Sequence, residues 1–283
     1  MPSIGLIGVE NSHAEHFIRF LNQEGRYAGF RATALAGGMD ARSEALAEAG
    51  GIETIVDDAS DLVGRVDAAI ISTRDGALHR SQAEPLLAAG IPVLVDKPLA
   101  TSVDDADAIL SAARASGAMV YSASALRFAR QVGQLKQWVR SSTGLRHLHV
   151  TGAGDAAGPY SGLYFYGIHH VEAALEVLGD SPLPDGIRVA AFQSAGTTVA
   201  TVQLDEVVIT LTFVPPHDGG QVGFHAGAVS ADDLCNAEIE LGRDYNAPVL
   251  NRFISSLRSG RAPVEPVVMR TPIVLMEKIC AAL

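Results

Sequence analysis

"SIGLIGVENSH", residues Ser3 to His13, is the stretch on which the fold turns. Its first half is a short, unbroken apolar run, the pattern of a strand buried on both faces. Gly8 ends the run. Beyond it Ala14, Phe17, Ile18 and Leu21 recur at i, i+3, i+4 and i+7, which predicts a helix with one apolar face. A strand, a glycine turn and a helix form the opening unit of a parallel sheet. The same alternation continues through "RATALAG", "ETIV", "DAAIIST", "PVLVD" and "AMVYSAS", with helix patterns between them, several ending in glycine. Repeated strand–helix units predict a doubly wound parallel sheet with right-handed crossovers.

The pattern changes near Ser124. The helix patterns "ARQVGQLKQWVRSS" and "IHHVEAALEVLG" are followed by "IRVAAFQSAG", "TTVATVQL", "EVVITLTFV", "QVGFHAGAV" and "AEIEL", strands with no helix between them. Consecutive strands of this kind predict an antiparallel sheet. Two helix patterns close the chain. The reading is an α/β protein of two domains. Residues 1–124 carry the parallel sheet, and residues 125–283 form an α+β domain with a mostly antiparallel open sheet.

Composition sets limits. With 48% hydrophobic and 19% charged residues, the 283-residue chain can bury full cores. A net charge of −11 argues against nucleic acid and against anionic membrane surfaces, which need a basic face. Two cysteines, Cys235 and Cys280, make neither a disulfide framework nor a zinc site. No apolar run is long enough for a membrane span, and "PSIGLIGV" lacks a basic leader. The expected home is the reducing cytoplasm.

In an open parallel sheet, ligands bind beyond the carboxyl ends of the strands where the strand order reverses. Three turns are candidates: "GVENSH", "TRDGALH" and "DKPLA". They would bring Lys97, His79 and the Glu10–His13 turn to one crevice. Lys97, fixed by Pro98, could assist proton transfer as a hydroxyl becomes a carbonyl; a lysine snorkelling at the sheet edge is the plainer reading. In "YGIHHVEAAL", His169 and Glu172 share a helix face and His170 points about 100° away. His169 is a candidate acid/base that Glu172 would orient, set against an ordinary histidine in the first turn of a surface helix.

The order of "DKPLA", "SALRF" and "GIHHVE" resembles the Gfo/Idh/MocA oxidoreductases, the group of glucose–fructose oxidoreductase and inositol dehydrogenase. Asp96-Lys97-Pro98 is similar to that family's E/D-K-P, and Gly167-x-His169-x-x-Glu172 to its G-x-H-x-x-D. The resemblance implies a nicotinamide-binding Rossmann domain, then an α/β domain whose sheet makes a homodimer or homotetramer. It implies oxidation or reduction of a sugar, cyclitol or similar polyol, with Lys97 and His169 handling the proton and Glu172 beside them. Lys97, Arg127, Tyr166, His169 and His170 would meet the substrate. The cofactor, NAD or NADP, would be held by Gly8, Glu10, Asn11, Ser12, His13, Gly37, Arg42, Thr73, Arg74, His79, Asp96 and Pro98.

The chain departs from the family pattern in several places. Glu10 and His13 stand where the second and third fingerprint glycines belong. "ALAGG" puts Gly37 and Gly38 where an acid normally holds the adenosine ribose. Asp40 could serve from a shifted loop, or Arg42 could meet a 2′-phosphate. Phe165 occupies the place where many catalytic members carry aspartate; Tyr164 or Tyr166 could offer a hydroxyl there, though not a charge. Ser12 and Glu15 have capping-box spacing, with Asn11 a second capable cap. Arg74 could meet an anion or pair locally with Asp75. Arg127 could line the substrate cleft or brace the domains. The histidines at 147, 149, 217 and 225 are read as structural. No metal is assigned, although Glu10, His13 and His16 have E-x-x-H-x-x-H spacing. The alternative function is a protein of this fold that has lost tight dinucleotide binding and acts as a ligand-binding or regulatory protein, or as a metal-assisted enzyme.

Overall fold

A computed structural model describes residues 2–180, 183–184 and 186–283. The chain forms two compact units. Met1–Ala123 with Asn246–Pro266 make the first, and Ser124–Tyr245 with Val267–Leu283 the second.

In the first unit the elements run β1 (Ser3–Ile7), α1 (Ser12–Ile18), β2 (Arg31–Ala36), α2 (Ala41–Gly50), β3 (Thr54–Val56), β4 (Ala68–Ile71), α3 (His79–Ala88), β5 (Val93–Val95), α4 (Val103–Ser116) and β6 (Val120–Tyr121). The strands lie in the order β3-β2-β1-β4-β5-β6, every pair parallel. The order reverses between β1 and β4, so the turns leaving β1, β4 and β5 emerge along one edge. The central strands β1, β4 and β5 are mostly apolar because both faces are covered: Ile4, Leu6, Ile70, Ile71, Val93, Leu94 and Val95 are fully buried. Sequence capping sets the helix ends. Asp40 caps α2 by accepting from the Ser43 N–H, Ser102 caps α4 in the same way, and α4 stops at Gly117 with φ +72°. After α1 the backbone widens into a short π-turn, Arg19–Gln23. The Asn22 amide side chain there bonds the Ala32 and Gly50 carbonyls and accepts from the Ala32 N–H.

The second unit runs α5 (Arg130–Ser141), β7 (His147–Ala153), α6 (Leu163–Leu178), β8 (Arg188–Ser194), β9 (Thr197–Leu204), β10 (Val207–Val214), β11 (Phe224–Val229) and β12 (Leu234–Ile239). Its sheet order is β12-β11-β7-β10-β9-β8, antiparallel except for the parallel pair β7–β10. Burial alternates along β7, β9 and β10, so one face is core and the other is open. Leu148, Val150, Ala200, Val202, Ile209, Leu211 and Phe213 point to the core. Helix α6 is apolar nearly all round and is buried over most of its length.

Two helices close the chain, α7 (Ala247–Ser259) and α8 (Pro266–Ala281). Helix α7 packs within the first unit: the Arg258 guanidinium bonds the Ala28 carbonyl and covers the Phe30 ring, and Asn246 meets His16. Among the described residues, no helix is long and apolar enough to cross a membrane.

Candidate functional site

The candidate site of the first unit is built around Gly8. Its φ is +81°, and a Cβ there would lie 2.1 Å from the Thr73 backbone nitrogen. Only glycine lets the turn after β1 pass this close to the turn after β4. The Ser72 hydroxyl seals the crossing by donating to the Ile7 and Gly8 carbonyls. The cap of α1 is Asn11, not the Ser12–Glu15 box. Asn11 Oδ1 accepts from the His13 N–H, while its Nδ2 donates to the Ser72 carbonyl. Glu15 is drawn away to Arg42, at 2.9 Å. Arg42 also bonds the Val9 carbonyl (2.5 Å) and the Asn11 carbonyl (3.4 Å), so its guanidinium fastens α2 to the first turn.

The two departures from the glycine fingerprint have partners. The exposed Glu10 accepts from the Arg74 N–H at 2.8 Å. His13 is buried, and its Nδ1 lies 2.6 Å from Asp96 Oδ2. Burial alone would push the Asp96 carboxyl up. The charge and hydrogen bond of His13, with the adjacent Lys97, outweigh it and hold the pKa at about 2. His16 stacks on His13 and meets Asn246. Glu10, His13 and His16 are thus engaged with three different partners rather than converging on one ion.

Lys97 is buried two residues past the end of β5, ahead of a cis peptide to Pro98. Gly76 lets the β4 turn pack on that proline, since a Cβ there would lie 2.7 Å from Pro98 Cγ. His79 is fully buried. One ring nitrogen faces the Pro98 carbonyl (2.7 Å) and the other the Thr73 carbonyl (2.9 Å), tying the two turns together. Burial pushes its pKa below the ordinary value. The Thr73 hydroxyl is used within the unit, donating to Gln82.

These residues fit a nicotinamide dinucleotide in the reversal of strand order, the Gly8 turn and the bare backbone of Gly37 and Gly38 at the end of β2. The phosphate end is altered, because the first turn of α1 is self-capped and carries Glu10 beside it.

In the second unit α6 carries His169, which is buried with its ring edge-on to Phe224. The group at its Nδ1 is the Ser124 hydroxyl, 2.6 Å away. Glu172, expected to orient the ring, acts one step removed. Its Oε2 accepts from the Ser124 N–H (2.8 Å) and from Arg127 Nε (2.5 Å). Arg127, expected at a cleft or as a brace, is an internal tie of this unit. It also meets Glu176 (3.2 Å) and Asp180 (2.7 Å), and Lys136 joins the same Glu176. Burial opposes the guanidinium charge, but Glu172 and Asp180 raise its pKa above the ordinary value.

His170, expected among the substrate contacts, is fully buried against Phe213 and Phe224. Burial pushes its pKa down to about 4 against the opposing pull of backbone groups at Gly152, Tyr166, Thr212 and Gly167, and among the described residues none of these makes a hydrogen bond of good geometry to a ring nitrogen. Tyr166 is half-buried at a pocket of about 320 Å³, shared with Asp155, Tyr160, Phe165, Pro216 and Gln221. Phe165, standing where a carboxylate was expected, gives this pocket an aromatic wall with Tyr160 and Tyr166. Tyr164 points into the core, where burial raises its phenol. Ser124 had no sequence signal beyond its position just after the last strand of the first unit.

Residues 3–124 match the Gfo/Idh/MocA oxidoreductase family with its NAD-binding Rossmann fold. The match spans the parallel-sheet part of the chain, short of half its length. It is 28% identical over 196 residues to a protein of Amycolatopsis mediterranei described as the oxidoreductase subunit of a UDP-kanosamine synthase, covering 64% of this chain and 54% of that one. It is 33% identical over 151 residues to the inositol 2-dehydrogenase of Rhodococcus erythropolis, covering 53% of this chain and 40% of that one. The chain thus spans about half the length of the curated relatives it matches. Its fold is that of scyllo-inositol dehydrogenase from Lactobacillus casei, solved with NAD(H) and scyllo-inositol. There the TM-score is 0.82 at 14% identity, over 100% of this chain and 97% of that one.

Proposed function

We propose that the chain is a nicotinamide-dependent oxidoreductase acting on a hydroxyl or carbonyl of a sugar, cyclitol or similar polyol. The observation that carries this reading is a buried lysine at the carboxyl end of β5, beside the reversal of strand order, in a chain that also keeps a buried, hydrogen-bonded histidine on α6. The relatives named above, described as an oxidoreductase subunit and an inositol 2-dehydrogenase, support it. The dinucleotide supplies the hydride acceptor or donor. Gly8, Gly37 and the turns at Thr73–Arg74 and Asp96–Pro98 would hold it. NAD is favoured over NADP, because the Arg42 guanidinium is already committed to Val9, Asn11 and Glu15 rather than offered to a 2′-phosphate.

Lys97 and His169 handle the proton of the reacting hydroxyl, and Asp96 keeps negative charge beside Lys97. The pocket at Tyr166 offers aromatic faces and a carboxylate, surfaces suited to a ring-shaped polyol. Self-association through the second sheet is part of the proposal. By strand register Phe192, Val208 and Leu234 lie on one face of that sheet, all three exposed.

The test is a screen of cyclitols and sugars with NAD and NADP, followed by reduced-nicotinamide absorbance. Turnover on a polyol that falls roughly 10²- to 10⁴-fold in Lys97→Ala, with dinucleotide binding retained, is the expected result. Turnover that Lys97→Ala leaves unchanged contradicts the assignment.

A further inference from the structure

The Ser124 hydroxyl is fully buried at the start of the 3₁₀ turn Ala125–Phe128 and has two neighbours of opposite character. The Leu126 N–H donates to its oxygen at 3.1 Å. His169 Nδ1 lies 2.6 Å away. A hydroxyl carries two lone pairs and one proton; the Leu126 N–H can only donate, so of these two neighbours Nδ1 is the one that can accept the buried proton. The segment cannot drift, because the Ser124 N–H is held by Glu172, which Arg127 holds in turn. Glu172 and Arg127 are the charged groups that anchor this segment. Phe224 packs on the ring from the sheet side.

We infer that Ser124 is a positioning residue that holds neutral His169 in the tautomer with its proton on Nε2. A carboxylate at Nδ1 can only accept, so it fixes the proton on Nδ1 and leaves Nε2 as a base. A serine that donates does the reverse: the neutral ring presents an N–H at Nε2. The catalytic consequence rests on the oxidoreductase reading. His169 then offers the substrate's reacting oxygen an N–H donor at Nε2 rather than the lone pair of a base.

The tautomer can be read without substrate or cofactor. The full chain is labelled with ¹⁵N-histidine, its ring resonances are recorded above the titration of His169, and His169→Gln identifies them. The expected wild-type signal has a protonated Nε2 and an unprotonated, hydrogen-bonded Nδ1. In Ser124→Ala the Nδ1 resonance moves, and the opposite tautomer gains roughly five- to tenfold from loss of one buried hydrogen bond. Ser124→Thr restores the wild-type pattern. A protonated Nδ1 in the neutral wild-type ring overturns the inference, and so does a Ser124→Ala spectrum that superimposes on wild type at His169. Failure to find a turned-over polyol would count against the proposed function and leave this result standing.

Discussion

His13 Nδ1 and Asp96 Oδ2 lie 2.6 Å apart, both side chains buried in the first unit. The contact joins the position of the third fingerprint glycine to the residue preceding Lys97. A glycine there would leave Asp96 without this partner, so His13 in "GVENSH" and the Asp-Lys-Pro motif form one structural feature.

That pair makes the protein acid-sensitive in a defined window. Asp96 titrates near 2 in the folded state against an ordinary 3.8. A depressed carboxylate contributes stability that is complete above its unfolded pKa and lost as pH falls through the folded one. The contribution is about 2 kcal/mol. Asp96→Asn is expected to lower stability at pH 7 by about that amount and to flatten the loss between about pH 4 and pH 2, as measured by urea unfolding. An unchanged acid slope would contradict the assignment.

His170 gives a second window at higher pH. Its pKa is about 4 when folded and 6.5 ordinarily. The neutral ring is what the core accepts, so stability is complete above pH 6.5 and declines as pH falls toward 4. His170→Leu replaces an unsatisfied polar ring with an apolar group of similar size and is expected to raise Tm at pH 7. It also removes about 3 kcal/mol of the stability difference between pH 7 and pH 4. Scanning calorimetry at the two pH values decides this.

Arg127 holds three carboxylates, Glu172, Glu176 and Asp180, from a buried position. Arg127→Leu leaves these charges without their common partner. It is expected to cost about 3–5 kcal/mol and to release Ser124 from its place against His169. Arg127→Lys restores little, because one ammonium cannot reproduce a forked guanidinium. Denaturant midpoints of the two variants, compared with wild type, test the claim; a Lys variant as stable as wild type would refute it.

The parallel sheet was legible because strands buried on both faces read as unbroken apolar runs, and β1, β4 and β5 all do. The parallel pairing of β7 with β10 was not, since period-two burial looks the same in either direction. Nothing in the periodicity of α7 tells which unit it covers. His169 and His170 show the same limit at the site. Their 100° separation was readable, but α6 is covered on both sides, so the two histidines are both buried and differ in their neighbours. Those neighbours come from far along the chain: Ser124 for one, Phe213 and Phe224 for the other. Arg127 was visible as a cation near a strand end, while Asp180 lies 53 residues away from it and belongs to no motif.

The central claim is that the first unit still accepts a dinucleotide despite Glu10 and His13. Titration of the nucleotide-stripped protein with NADH and with NADPH, followed by nicotinamide fluorescence, tests it directly. Binding on the order of micromolar, tighter for NADH, is the predicted result. No binding of either cofactor at about millimolar concentration would contradict the account.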